Sequence, residues 1–251
     1  SLAEQRQKYG SREDAQYQIR VLGQFPDRAD EFLITKRQAE NMYCGASIFK
    51  DHLFGYVITV DVGGGVGRDD SVIAVSKVWG EAQWGDRARR VEVVDIPLCK
   101  NKDDITELFA KIHECILKYP NATLVVDDNG AGKGLGQLLT KNGIWYMPVH
   151  WGGNCFSNDN RKEYVNKRAQ AYACLSYAVN THNFKICHPH NKEKVLKEFS
   201  SIQYSYFSTQ YSFGELSRFK IMPASEMREI GLDAPDIVDL FAYVFLENTT
   251  Y

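Results

Sequence analysis

The chain has 251 residues, a formal charge of −2 and a charged fraction of 25%. That length suffices for one large domain, or a domain with an appendage, around a substantial core. The near-balanced charge excludes the overall basic footprint of proteins that coat nucleic acid nonspecifically, so any nucleic-acid surface must be local.

In chain order, residues 1–50 are polar and irregular, with "GQFPDRAD" as a turn-rich joint and "ITKRQAENMYC" as a short helical candidate. They read as a linker or the tail of a preceding domain, and the core domain spans 51–251. Strand-like alternation follows at 56–61, 72–79 and 91–96, with "GEAQWGDRARR" as a hairpin connection between the last two. The period then changes. Ile105, Leu108, Phe109, Ile112, Ile116 and Leu117 share one face, which predicts a helix over 103–119. "ATLVVDD" reads as a short strand ending in acid, "GKGLGQLLTKNG" as a helix with a glycine stop, and "WYMPVH" as another strand. The order of three strands, helix, strand, helix, strand indicates an α/β layer with a mixed sheet begun by a hairpin.

Beyond it, "NRKEYVNKRAQAYACLSYAVNTHNF" predicts one long helix, 191–199 a second, and "IQYSYFSTQYSFGELSRFKIMP" an antiparallel hairpin closed by Gly214. The aromatic residues of that hairpin read first as packing residues. "DAPDIVDLFAYVFLE" predicts a last helix with Pro235 in its first turn.

The six cysteines include no CxxC pair and fit free thiols in a reducing compartment better than a disulfide framework. "KICHPH" lacks the second half of a zinc pattern and reads as a strand running into a turn. No 18-residue apolar run or signal peptide is visible, which leads us to expect a soluble, non-secreted chain without a membrane partner. The start at Ser1, without Met, reads as that of an excised piece. Basic clusters at Arg87, Arg89 and Arg90, at Lys162, Lys167 and Arg168, and at Lys192, Lys194 and Lys197 each read by default as solvated faces.

Three elements end or begin in acid. Burying a carboxylate is costly unless a cation or hydrogen bonds compensate, yet Asp61 and Asp127 each close an apolar strand. In a parallel pair both would emerge at one sheet edge, where ligand crevices form. Asp236 and Asp239 lie three apart on the last helix. A set of carboxylates without histidine or cysteine suits a hard cation such as Mg2+ or Mn2+. Each acid also has a plain structural role open to it: Asp61 within its glycine turn, Asp127 or Asp128 as a helix cap, Asp236 at the first turn of its helix. Asp69 and Asp70 follow the glycine run, and Asp69 is the better placed for the site.

"GGGVG" does not supply a Walker loop, and "NGAGKGLG" carries no Ser or Thr directly after its lysine. "GGGVGRDDSVIAV" also returns to a strand and not to a helix. An actin-like or sugar-kinase-like ATP site, with phosphotransfer as its activity, therefore remains the alternative enzyme reading. A non-catalytic motor-docking domain is the alternative outside enzymes.

Taken together, "YVITVDVGGGVGRDDSVIAV", "TLVVDDNGAGKGLGQLL", "NKRAQAYACL" and "GLDAPDIVDLFAYVF" resemble the C-terminal nuclease domain of tailed-phage large terminases. With "QYQIRVLGQFP", similar to the segment leaving the terminase ATPase domain, the resemblance spans most of 10–246. It implies an RNase H-like fold, a central mixed sheet flanked by helices, and a metal-dependent endonuclease that hydrolyses double-stranded DNA during genome packaging. It also implies that Asp61, Asp127 and Asp239, with Asp236, are catalytic and hold two Mg2+ or Mn2+ ions, with Asp69 as a further metal candidate. Arg68, Lys133, Lys167 and Arg168 become candidate DNA contacts. The implied partners are DNA, an ATPase domain of the same protein, a portal and a small terminase, in the host cytoplasm and transiently at the procapsid portal. The chain itself shows no Walker loop, so translocation is not assigned to it. Two departures stand out: Val62 follows Asp61 where the family often has proline, and "LDAPD" replaces the frequent Ser-Pro-Asp.

Overall fold

The computed structural model describes residues 32–45, 47, 53–64, 70–80, 88–101, 104–188, 190–211, 214–229 and 231–251. The expectations for residues 1–31, for most of the connection 81–88, and for Arg68 and Asp69 fall outside the described residues.

An arm of residues 32–44 carries the short helix α1 (Lys36–Glu40), opened by a reciprocal Thr35–Gln38 capping box. Strands β1 (Gly55–Asp61), β2 (Ser71–Trp79) and β3 (Arg90–Lys100) follow as an antiparallel meander. Helix α2 (Ile105–Lys118) is capped by Asp104, which accepts from Thr106 N–H and Glu107 N–H. Strand β4 (Thr123–Val126) then pairs parallel with β1, helix α3 (Lys133–Lys141) crosses over, and β5 (Met147–Pro148) pairs parallel with β4. After α4 (Asn158–Glu163) and α5 (Lys167–Asn180), strand β6 (Phe184–Ile186) pairs parallel with β3. The six-stranded mixed sheet runs β5-β4-β1-β2-β3-β6. Helix α6 (Lys192–Ser201), the hairpin β7 (Tyr204–Tyr211) and β8 (Gly214–Ile221), and helices α7 (Ala224–Glu229) and α8 (Ile237–Tyr243) complete the chain.

The sheet is buried on both faces, and its period of two sorts the side chains. Ile58, Val60, Ile73, Val75, Leu124 and Val126 join α2 and α3 in one core. Val57, Val72, Ala74, Val91, Val93 and Val125 join α5, α6 and α8 in a larger one. Asp61 keeps step with Val57, and Asp127 with Val125, so both acids belong to the face that α8 covers. Arm residues Ile34, Ala39 and Met42 are buried in that same larger core.

Two expectations need correction. The single helix across 160–184 is broken: Tyr164 leaves it to bridge Phe219 on β8, and Asn166 restarts it by accepting from Ala169 N–H. The last helix begins at Ile237, so Pro235 lies before its cap and not in its first turn. The hairpin aromatics pack on one another, Tyr204 and Tyr206 lying 5.5 and 5.9 Å from the Phe219 ring. No helix among the described residues is long and apolar enough to cross a membrane.

Candidate active site

The register between β1 and β4 creates the centre. Val60 pairs with Val126, and Asp127 N–H donates to Val60 O at 3.0 Å, so Asp61 and Asp127 emerge side by side from one end of the sheet. Asp127 is fixed by an Asx-type turn, its Oδ1 accepting from Asn129 N–H and Asn129 Nδ2, each at 3.0 Å. Tyr243 Oη donates to its other oxygen at 3.4 Å. Gly132 closes over this turn so tightly that a Cβ there would stand 1.9 Å from the Asp127 carbonyl oxygen. Backbone approach is what that glycine permits.

Helix α8 brings the other two acids, and it is held at both ends by buried polar side chains from elsewhere. Glu198, buried on α6, accepts from Ile237 N–H and Val238 N–H through one oxygen, both at 2.9 Å. At the far end the buried Arg89 guanidinium donates to Val244 O at 2.5 Å, Leu246 O at 3.2 Å and Thr249 O. Unpaired helix-terminal groups are thereby satisfied in a dry setting. Asp236, at the cap position, makes no side-chain cap bond. Its carboxylate accepts from Lys194 Nζ at 2.8 Å, and the same ammonium reaches Asp70 at 2.6 Å. Asp239, one turn on, accepts from Tyr172 Oη and lies 3.4 Å from Arg168 Nη2.

Electrostatics join these groups. Burial pushes the Asp61 carboxyl well above the usual range, with the charges of Asp239, Asp127 and Asp236 adding to it and the Val62 N–H opposing. Burial also raises Asp239, against Arg168 and Tyr172. Lys194 is held above its ordinary value by Asp236 and Asp70, although burial pulls it down. Among the described residues, no cationic side chain forms an ion pair with Asp61. A cleft of about 1240 Å3 opens beside the site, lined by Asp70, Lys194, Glu198, Arg228 and Asp236 among others.

The sequence-derived candidates thus divide by position. Asp61, Asp127, Asp239 and Asp236 come into one electrostatic group, although Asp236 and Asp239 turn to different partners. Arg168 is spent on Asp239 and on Met222 O, at 3.0 Å. Lys167 is largely buried, its ammonium 3.8 Å from the centre of the Phe156 ring. Lys133 is exposed at the start of α3. Asp128 accepts from Tyr146 Oη at 3.0 Å and caps no helix. Asp70, which the sequence placed behind Asp69, and Lys194, which it read as part of a solvated face, join this group, and Glu198 is the residue that sequence reading missed. The i,i+4 pair Lys194 and Glu198 beside buried Val195 and Phe199 was the available signal.

Among the described residues, no three His, Cys, Asp or Glu side chains are already grouped as an ion would hold them. The donor set nonetheless fits a hard divalent cation: it is all carboxylate oxygen, and burial together with the neighbouring acids raises the proton affinity of Asp61.

A scan against known protein families finds no match. The chain is 30% identical over 247 residues to the "Probable terminase, large subunit" of Enterobacteria phage P7, a stretch covering 96% of this chain and 46% of that protein. It therefore spans about half the length of that relative. Among solved structures, it is similar to the nuclease domain of the large terminase subunit gp2 of bacterial virus Sf6, a mutant form with manganese and beta-thujaplicinol. The TM-score is 0.54 at 16% identity, over 85% of this chain and 98% of that one. The large terminase nuclease of thermophilic phage G20c with bound magnesium gives a TM-score of 0.47 at 18% identity, over 76% of this chain and 80% of that one. The chain is thus similar in sequence to about half of a probable terminase large subunit, and its fold is that of the Sf6 large-terminase nuclease domain.

Proposed function

We propose that the chain is a metal-dependent endonuclease acting on double-stranded DNA during viral genome packaging. One observation carries this reading: Asp61 lies at the shared end of two parallel strands, among three further carboxylates that raise its proton affinity, and without an ion-pair partner among the described residues. Asp61, Asp127 and Asp239, with Asp236, would hold two Mg2+ or Mn2+ ions. When bound, such ions supply an activated water for in-line attack on phosphorus and stabilise the leaving 3′ oxygen, giving a 5′ phosphate.

The chain's own groups do the positioning. Asn129 and Tyr243 fix both oxygens of Asp127, and Tyr172 and Arg168 fix Asp239. Glu198 and Arg89 set the helix that carries Asp239. Lys133, exposed beyond the Asp127 turn, is suited to a phosphate contact, and cutting without sequence preference needs mainly such contacts. In the longer protein of which this would be a part, an ATPase domain, a portal and a small terminase are the expected partners, at the procapsid in the host cytoplasm.

The test is supercoiled plasmid incubated with Mg2+, Mn2+ or EDTA, comparing the parent with Asp61→Ala and Asp127→Ala. Metal-dependent nicking and linearisation in the parent alone is the expected result. Equal cutting by both variants, with contaminating nuclease excluded, would remove these acids from the site.

A further inference from the structure

Away from the acidic centre, the arm of residues 32–44 ends on the outer edge of the sheet. Tyr43 bridges Ile186 in parallel; Cys44 N–H donates to Ile186 O at 3.0 Å, and Ile186 N–H donates to Met42 O at 2.9 Å. Cys187 N–H is tied on its other side to Val93 O at 2.9 Å. Backbone pairing thus holds Cys44 and Cys187 next to each other, and their sulfurs stand 2.8 Å apart. A disulfide of about 2.0 Å is reached by a shift of under about 1 Å, without rearranging either strand. Both residues are half-buried, whereas Cys115, Cys155 and Cys174 are buried.

We propose that Cys44 and Cys187 are a disulfide-forming modification site, oxidised by a low-molecular-weight disulfide such as oxidised glutathione. The Cys44 thiolate attacks one sulfur of the small disulfide, forming a mixed disulfide and releasing one small thiolate. Cys187 then gives up its proton to solvent and attacks the Cys44 sulfur, expelling the second small thiolate. Two protein thiols and one small disulfide become one protein disulfide and two small thiols. Burial, the Cys44 thiol and Glu92 together push the Cys187 thiol up, so the second step is the slower one and depends on alkaline pH and on the short reach between the two sulfurs.

The bond would close a loop of more than a hundred residues and fasten the arm to β6. Leu33 N–H donates to Ile202 O at 2.8 Å, at the end of α6. The pair therefore lies at one end of an arm whose other end is joined to the helix bearing Lys194 and Glu198.

The experiment incubates the full chain with oxidised glutathione at mildly alkaline pH, blocks remaining thiols with iodoacetamide, and maps peptides without reduction. A single cross-link between the peptides of Cys44 and Cys187 is expected. It should come with a rise in Tm of about 5–10 °C that is reversed by dithiothreitol. Cys44→Ala and Cys187→Ala each lose the cross-link, and Cys99→Ala keeps it. Full alkylation of both cysteines, a glutathione adduct at Cys44 that never resolves, or cross-links to other cysteines would each overturn the proposal. The readout on the parent chain stands even if a variant folds poorly.

Discussion

Asp236 and Asp61 belong to one electrostatic group, yet their surroundings differ in kind. Asp236 shares the Lys194 ammonium with Asp70, so both carboxylates have an ion-pair partner on α6. Asp61, buried among Asp239, Asp127 and Asp236, has no ion-pair partner among the described residues and holds its proton far more tightly than an ordinary carboxylate. Among the described residues, the acids on the α6 side have an ion-pair partner and Asp61 at the strand end has none. A buried unbalanced acid costs stability unless something arrives to complete it. On the reading proposed above, a divalent cation would supply the positive charge that Asp61 lacks among the described residues.

The largest test breaks the unbalanced side. Asp61→Asn keeps the shape and removes the repulsion; DNA cleavage should fall by about 10²–10³-fold or more. In EDTA the same variant should unfold about 2–4 °C higher than the parent in a thermal melt. Excess Mn2+ should raise the parent's Tm and leave that of Asp61→Asn nearly unchanged, and an equal rise in both would place the cation elsewhere.

Next in size is the clamp on α8. Glu198→Ala strips two buried N–H groups of their acceptor and should cost about 2–3 kcal/mol in urea denaturation. Glu198→Gln keeps an acceptor oxygen and should recover most of that loss. Removing the balancing charge is smaller because Lys194 is a third exposed: Lys194→Met should cost about 1–2 kcal/mol, partly restored by adding Asp70→Asn. A double variant no more stable than Lys194→Met alone would show that Asp70 and the ammonium are not coupled.

The smallest effect lies at a site remote from both. Burial opposes it, but Lys118 and Tyr119 hold Asp95 below its ordinary range. A lowered folded-state value means the stabilisation is present above the unfolded value of 3.8 and is lost as pH falls through the folded one. Asp95→Asn should remove that portion of acid sensitivity, a change of about 1 kcal/mol or less below pH ~4, visible as a flatter Tm against pH.

How much of this was legible follows from range along the chain. Strand period and terminal acid are local, so β1 and β4 and their aspartates could be read directly, and the parity that turns Asp61 toward α8 follows from the same alternation. The break at Tyr164 was not legible, because its cause is a bridge to Phe219, which lies far along the chain. Tertiary pairing there overrides a run that local propensity reads as one helix. The partition of Asp236 to Lys194 and Asp239 to Arg168 was hidden for a like reason: spacing on a helix gives direction, whereas partners come from α6 and α5. Lys194 looked like one more solvated lysine until the fold set it between two acids.

The clamping of α8 has a consequence for how the domain can be divided. Seven residues are too short to hold a helix in water unaided. This one exists because Arg89, which leads into β3, grips carbonyls as far on as Thr249, while Glu198 seats its other end. Asp239 therefore owes its place to contacts from distant parts of the sequence. A fragment ending before Thr249, or a nick near Arg89, should keep most of the sheet while letting the carboxylates drift apart.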